Sequence, residues 1–304
     1  MSNLSPTIAA DQTVKLSVVI RCRNEAASLK RTFAALRAQQ FDLRWEVIVV
    51  DNESEDATPE IAREFGAQIV PISRREFSYG RAINLGISRA RGELVMLLSA
   101  HALPIGSYFL AAAVAPFNDP QMAAARCLGI GWDHRQFELW HEPKDIQYAS
   151  AEEQRKIESG TNWVREYPTA GCCVIRRKVW EEVKYDETLE SNEDKLWACN
   201  VLARGYKIRC CAEAVWLNIR RYARKEEWLR MSRQHLALYR ITGQPPLTIA
   251  SFMWLTFRAV ASAPLVAFRH VRDTVGWYTH LVRIPWQARR LPQTGSFPEF
   301  DQKC

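Results

Sequence analysis

Five short polar segments hold the side chains of this chain best suited to chemistry. Arg21-Cys22-Arg23-Asn24-Glu25 offers an amide and a carboxylate directly after an apolar run. They can hydrogen-bond a base or a ribose, or one of them can cap the helix that follows. Asp51-Asn52-Glu53-Ser54, with Asp56 and Thr58 beyond, puts an acid at the end of a second apolar run. Ribose hydroxyls or a base N–H would satisfy it there, and so would an Asx-turn into the next helix. In the segment from Phe77 to Gly86, Gly80 opens a helix whose unpaired N–H groups suit an anion, with Arg81 and Asn84 on the same face. Ser99-Ala100-His101 places an imidazole after a fourth run, where it can hold a divalent cation or serve the structure alone. Glu190-Ser191-Asn192-Glu193-Asp194 sets two adjacent acids at a helix start. They can include a general base, or Ser191 and Asp194 can form a capping-box variant.

The elements that must position these groups alternate. Short apolar runs over 15–21, 45–50, 68–71 and 93–98 read as buried parallel strands. Helical spacing fills 26–40, 58–65 and 80–91 between them, with Thr58-Pro59 reading as an N-cap and a first-turn proline. Such an order predicts an α/β fold with a parallel sheet and ligands outside its carboxyl ends, just after Ile20, Val50, Pro71 and Leu98. Residues 131–167 lack periodicity and read as an insertion. A strand over 169–175 and helices over 177–183 and 192–204 follow, and no internal repeat occurs.

At 304 residues, with 47% hydrophobic and 25% charged residues, the chain can bury a full core. Collagen, coiled coil, low-complexity and stapled mini-protein classes are excluded. Lys plus Arg number 41 against 34 Asp plus Glu, a net charge of +7 that suits anionic partners without choosing among them. The eight cysteines form no Cys-x-x-Cys, which argues against zinc ribbons and thioredoxin-type redox motifs. Residues 1–15 carry neither the basic nor the apolar part of a signal peptide, so a cytoplasmic location is expected, with 1–14 as a disordered tail.

The last sixty or so residues change character. The stretch 247–268 is apolar but for Arg258 and is broken by Pro264. A central arginine costs about 2.5–3.5 kcal/mol on insertion scales, which disfavours a membrane span. Arg258, Arg269, Arg272, Arg283, Arg289 and Arg290 interleave with Trp277, Tyr278 and Trp286. Two arrangements remain open: a helix lying among anionic headgroups, or a helical pair packed on the body of the protein.

Taken in order, the motifs resemble the inverting glycosyltransferases of family 2, which have the GT-A nucleotide-diphospho-sugar transferase fold. The matching pieces are Asn24-Glu25; Asp51, Ser54, Asp56 and Thr58; Gly80, Asn84 and Gly86; Gly92-Glu93; Arg176-Arg177; and Glu193-Asp194. They cover about residues 15–217, and the segment from Phe77 to Asn84 looks most like rhamnosyltransferase-type and exopolysaccharide members. The resemblance implies a mostly parallel central sheet flanked by helices. It implies a catalytic domain over 15–222, with a nucleotide half (15–104) and an acceptor half (105–222), and a helical extension over 223–304 that is a candidate for membrane association.

The resemblance also assigns roles. Asp194 would take the acceptor proton, with Glu193 on the acceptor side. Asn24, Glu25, Asp51, Ser54, Arg81, Asn84 and Ser99 would bind the nucleotide-sugar. One departure stands out: where many members have Asp-x-Asp, this chain has Ser99-Ala100-His101. His101 would then hold Mn²⁺ or Mg²⁺ at a site poorer in negative charge, or Arg220 and Arg221 would neutralise the diphosphate instead. The implied partners are a nucleotide-diphospho-sugar donor and a glycan or lipid-linked acceptor, at the inner face of a membrane and without nucleic acid. The competing reading is a non-catalytic nucleotide-sugar binder of the same fold. A Rossmann dehydrogenase lacks its Gly-x-Gly-x-x-Gly here.

Overall fold

The computed structural model describes residues 14–130, 145–146 and 171–220, together with positions 230, 233, 234, 236, 237 and 253. Nearly all of the expected tail and of the insertion, Arg221, and all but isolated positions of the 223–304 extension lie outside the described residues. Two compact units divide the chain: Met1–Asp186 with Asp194–Arg220, and Glu187–Glu193 with Arg221–Cys304.

The first unit is built on β1 (Leu16–Cys22), α1 (Ala26–Arg37), β2 (Trp45–Asp51), α2 (Thr58–Phe65), β3 (Gln68–Pro71), α3 (Tyr79–Ser88) and β4 (Leu94–Ser99). It continues through β5 (Ala102–Pro104), α4 (Phe109–Val114), β6 (Met122–Ile130), β7 (Asp145–Ile146), β8 (Cys172–Arg176) and α5 (Arg177–Glu182). The helix α6 (Glu193–Leu202), from Asp194 onward, and the long strand β9 (Lys207–Asn218) complete it. One sheet runs in the order β3-β2-β1-β4-β8-β6-β9-β5, with β7 also paired to β9. Its first half is parallel, β3 through β4, as the apolar runs predict. The second half is mixed: β8 runs antiparallel to β4 and β6, whereas β6 and β9 run parallel.

Side-chain alternation gives the sheet two covered faces. Leu16, Val18, Ile20, Val47, Val49, Leu94, Met96 and Leu98 share one core with Leu29, Phe33 and Leu36 of α1 and Phe109 and Leu110 of α4. Phe33 stacks on Phe65 at 4.0 Å, joining α1 to α2. The other face takes α3 at very close range. A Cβ on Gly86 would meet Val19 Cγ1 at 2.4 Å and Val50 Cγ2 at 3.0 Å. That glycine is a contact between helix and sheet.

The amino-terminal end of β4 is fastened by motif residues that stand away from the ligand end. A Cβ on Gly92 would strike the Ser17 nitrogen at 2.6 Å, and the Gly92 N–H donates to the buried Ser17 hydroxyl at 2.8 Å. The neighbouring Glu93 accepts from Arg176 Nη1 at 3.0 Å and pairs with Lys15. These bonds with Lys15, and then the Arg176 charge, hold the Glu93 carboxyl below the usual range despite its partial burial. Arg177 closes the same corner, donating to the Gly92 carbonyl at 2.9 Å. In the second unit, the Asn192 side chain donates to the Gln234 carbonyl at 2.6 Å. Among the described residues, no helix is long and apolar enough to cross a membrane.

Candidate functional site

Strand register brings the polar segments together. Cys22 lies opposite Asp51 across β1 and β2, and Arg21 lies opposite Ser99 across β1 and β4. The loops after these three strands therefore open at one end of the parallel half, where α/β sheets bind ligands.

The first two loops are zipped to each other. Asn24 takes a left-handed φ of 52°, a conformation asparagine tolerates better than most residues. Its N–H donates to Ser54 Oγ at 3.0 Å, and its side-chain oxygen accepts from the Glu55 N–H at 2.8 Å. The Glu25 N–H donates to Thr58 Oγ1 at 2.9 Å, and the Ala26 N–H to Asp56 Oδ2 at 3.0 Å. Asp56 Oδ1 also accepts from the Thr58 N–H at 3.0 Å. Thr58 therefore does not cap α2 as expected, because that helix is entered from Ala57. The side-chain oxygens of Asn24 and Ser54, expected on the nucleotide, are engaged between the loops. Arg74 adds a third strap, its N–H donating to Glu53 Oε2 at 3.2 Å and its guanidinium pairing with Glu55.

Asp51 keeps a different balance. The residue is only 8% exposed. Its Oδ2 accepts from the Ser54 N–H at 3.2 Å, the turn that the sequence also allows. Its Oδ1 is buried without a hydrogen-bond partner among the described residues, and so is Oδ1 of Asn52. An unsatisfied buried acceptor costs about 1–3 kcal/mol, so each of these oxygens marks a spot where a donor is wanted. Asn52 escapes the sequence reading, and its signal is only its place beside Asp51. The Cys22 thiol is pushed well above its ordinary range by burial and then by Asp51, Glu25 and Asp56, which makes it an inert core residue.

The third loop joins through His101. Its backbone is pinned on several sides. Ser99 N–H donates to Gly171 O at 2.9 Å, Thr32 Oγ1 to Ala100 O at 2.8 Å, and Ile219 N–H to His101 O at 3.0 Å. The imidazole Nδ1 lies 3.1 Å from Glu25 Oε1. A carboxylate only accepts, so Nδ1 carries the proton and Nε2 is the remaining ring nitrogen. Arg220 Nη1 donates to the same Glu25 oxygen at 3.1 Å. Burial works to raise the Glu25 carboxyl, but the hydrogen bond and charge of His101 and then the charge of Arg220 outweigh it and hold the carboxyl low. The expected metal ligand, nucleotide ligand and diphosphate cation thus form one Glu25–His101–Arg220 cluster.

The remaining expectations separate. Arg81 turns back on the loop before α3: its N–H meets Ser78 Oγ at 3.1 Å and its Nη1 meets Glu76 O at 3.4 Å. Arg21 lies 5.3 Å above the half-exposed ring of Tyr79, the first residue of α3. The Asn84 side chain is engaged within the chain. Its Oδ1 accepts from Trp180 Nε1 at 2.9 Å and from the Tyr185 N–H at 3.1 Å, while its Nδ2 donates to Tyr185 O at 2.9 Å. Tyr185 stacks on Trp197 at 5.2 Å, and Trp197 Nε1 donates to Val183 O at 2.7 Å. That chain of contacts fixes α6, whose first turn carries Asp194. The Asp194 charge reaches the buried Cys173 thiol, which burial, Cys127 and Asp194 raise while Arg21 and Lys195 oppose. Cys173 pairs with Leu97 near the end of β4. Glu193 is buried and falls in the second unit.

A divalent ion fits this donor set poorly. Such ions favour carboxylates, and the segment offers Ser99 and His101. The nearest carboxylate, Glu25, already carries a guanidinium. Among the described residues no three His, Cys, Asp or Glu side chains group as a metal site.

Comparison with known proteins gives a consistent picture. The family described as Glycosyl transferase family 2 matches residues 17–184. The O-antigen chain rhamnosyltransferase RfbN of Salmonella typhimurium is 26% identical over 225 residues, covering 71% of this chain and 70% of that protein. The mannosyltransferase PcManGT from Pyrobaculum calidifontis, solved with GDP-Man and Mn²⁺, superposes with a TM-score of 0.61 at 16% identity, over 91% of this chain and 87% of the other. TarS 1-349 of S. aureus, solved with UDP-GlcNAc, gives 0.56 at 16% identity, over 89% and 82%. At such identities the likeness to solved structures is one of fold, and that fold is GT-A.

Proposed function

The chain belongs to glycosyl transferase family 2, and from that premise we propose that it moves a sugar from a nucleotide-diphospho-sugar to an acceptor hydroxyl with inversion at the anomeric carbon. It is a glycosyltransferase; the donor, the stereochemistry and the site residues are the proposal. The observation that carries it is the pair of orphaned buried acceptors, Asp51 Oδ1 and Asn52 Oδ1, at the carboxyl end of the parallel strands. Base N–H groups and ribose hydroxyls are the donors such a place takes.

The chemistry is a single displacement. The acceptor oxygen bonds to the anomeric carbon as the carbon–oxygen bond to the diphosphate breaks and its electron pair leaves with the phosphate. Asp194 takes the acceptor proton, held in place by α6. Asp51 and Asn52 fix the nucleoside, which orients the anomeric carbon toward the acceptor. RfbN, named as an O-antigen chain rhamnosyltransferase, supports a deoxyhexose as the transferred unit and surface polysaccharide as the product. A glycan or lipid-linked acceptor at the inner face of the cytoplasmic membrane accords with the basic, aromatic stretch 258–290.

Thermal shifts with UDP, GDP and dTDP test the donor site. A nucleotide at a hundred times its dissociation constant stabilises by about 2.7 kcal/mol, and Asp51→Ala should remove the shift. Asp194→Asn should abolish transfer while leaving nucleotide affinity within about twofold. Retained turnover in that variant would remove Asp194 as the base. Binding without turnover in the unaltered protein would make it a nucleotide-sugar binder.

A further inference from the structure

His101 stands where the resemblance puts a metal ligand, yet its surroundings already hold a cation. Its Nδ1 faces Glu25, the same carboxylate that the Arg220 guanidinium occupies. A divalent ion on the Glu25 Oε1 oxygen would lie against the Arg220 charge, which stands 3.1 Å from it.

The fold delivers Arg220 to this spot by its backbone. β5 pairs antiparallel with the end of β9, Ala102 opposite Asn218. The Ile219 N–H then bonds to the His101 carbonyl, and the Arg220 N–H to Asn218 Oδ1 at 3.1 Å. The Glu25 side chain beneath is 13% exposed, against 45% for Arg220. A guanidinium anchored on its inner side and open to solvent suits a phosphate oxygen, which it binds by charge-assisted hydrogen bonds.

Resting on the donor reading above, we propose that Arg220, anchored by Glu25, takes the charge of the departing nucleoside diphosphate, and that this chain transfers sugar without a divalent cation. As the bond to the anomeric carbon breaks, the electron pair left on the phosphate oxygen is met by guanidinium N–H donors, and Arg220 neither gains nor loses a proton. Glu25 acts as a positioning residue that holds the guanidinium beside His101.

Titration calorimetry of the full chain with UDP, GDP and dTDP, in EDTA and then in Mn²⁺, tests this. At least one nucleotide should bind in EDTA, with Mn²⁺ changing its affinity by less than about twofold. Arg220→Ala should weaken that diphosphate by about tenfold or more and the matching monophosphate by less than about threefold, and Arg220→Lys should recover part of the loss. Binding that requires Mn²⁺, or unchanged diphosphate affinity in Arg220→Ala, overturns the proposal and leaves the donor site standing. No binding of any nucleotide, with or without Mn²⁺, overturns both.

Discussion

Replacing Asn84 with alanine would cut a support that runs from the sheet face to α6, the helix that carries the proposed base Asp194. The substitution removes three hydrogen bonds at 2.9–3.1 Å and leaves Trp180 Nε1, the Tyr185 N–H and the Tyr185 carbonyl without their partner. Trp180 and Tyr185 are 6% and 3% exposed, so water reaches these groups poorly. At about 1 kcal/mol for each bond, the loss is about 3 kcal/mol. For a domain of this size that is a fall in Tm of about 6–12 °C. Guanidinium chloride unfolding of wild type and Asn84→Ala would read the energy directly. Asn84→Asp separates the parts: it keeps both accepted bonds and turns an oxygen against the Tyr185 carbonyl, so it should be nearly as unstable as the alanine variant. Asp194 sits at the head of the helix that Trp197 and Tyr185 hold. Transfer should therefore fall in both variants while nucleotide affinity stays within about twofold of wild type. An Asn84→Ala protein of wild-type stability that no longer binds nucleotide would refute this reasoning and return Asn84 to the ligand.

Three further outcomes are expected. Gly86→Ala drives a methyl to 2.4 Å from Val19 Cγ1 and should destabilise by about 1–3 kcal/mol, read as a lowered Tm; a neutral result would mean that α3 can shift on the sheet. Asp56→Ala unties the Ala26 and Thr58 N–H groups and should cost about 1–3 kcal/mol in urea unfolding, with unchanged stability refuting the staple. The Glu25 carboxyl is held below its ordinary value of 4.5 in the folded chain, chiefly by His101 and Arg220 against the opposing effect of burial. Its stabilising contribution is therefore full above that value and is lost as pH falls through the lower folded value. Urea midpoints of wild type and Glu25→Gln should differ above the carboxyl's ordinary value and converge in acid; a gap that widens in acid would contradict the assignment.

The parallel half was readable because it obeys local rules. The central strands β1, β2 and β4 are mostly apolar and mostly buried, and β3 and α2 fall on the residues that sequence marks for them. The other half was not. β6 opens Met122-Ala123-Ala124-Ala125, residues with little intrinsic leaning to strand, and only pairing with β8 and β9 makes them one. In the site, Glu25, Asp51 and His101 announce themselves as polar residues at strand ends. Arg220 reaches Glu25 across 195 positions of sequence through a ladder three residues long, which no local pattern encodes. Asn84 too shows what local pattern does not encode: its side chain bonds to Trp180 and Tyr185, about a hundred residues away in sequence.

The bonds that tie the loop at Asn24–Ala26 to the one at Ser54–Thr58 have a kinetic meaning. Side chains that would otherwise lose rotamer freedom on meeting a ligand have already lost it during folding, so little ordering entropy remains to be spent on arrival. A floor of this kind favours lock-and-key encounter over induced closure. Observed association rates should then rise linearly with nucleotide concentration and show no plateau from a slow rearrangement.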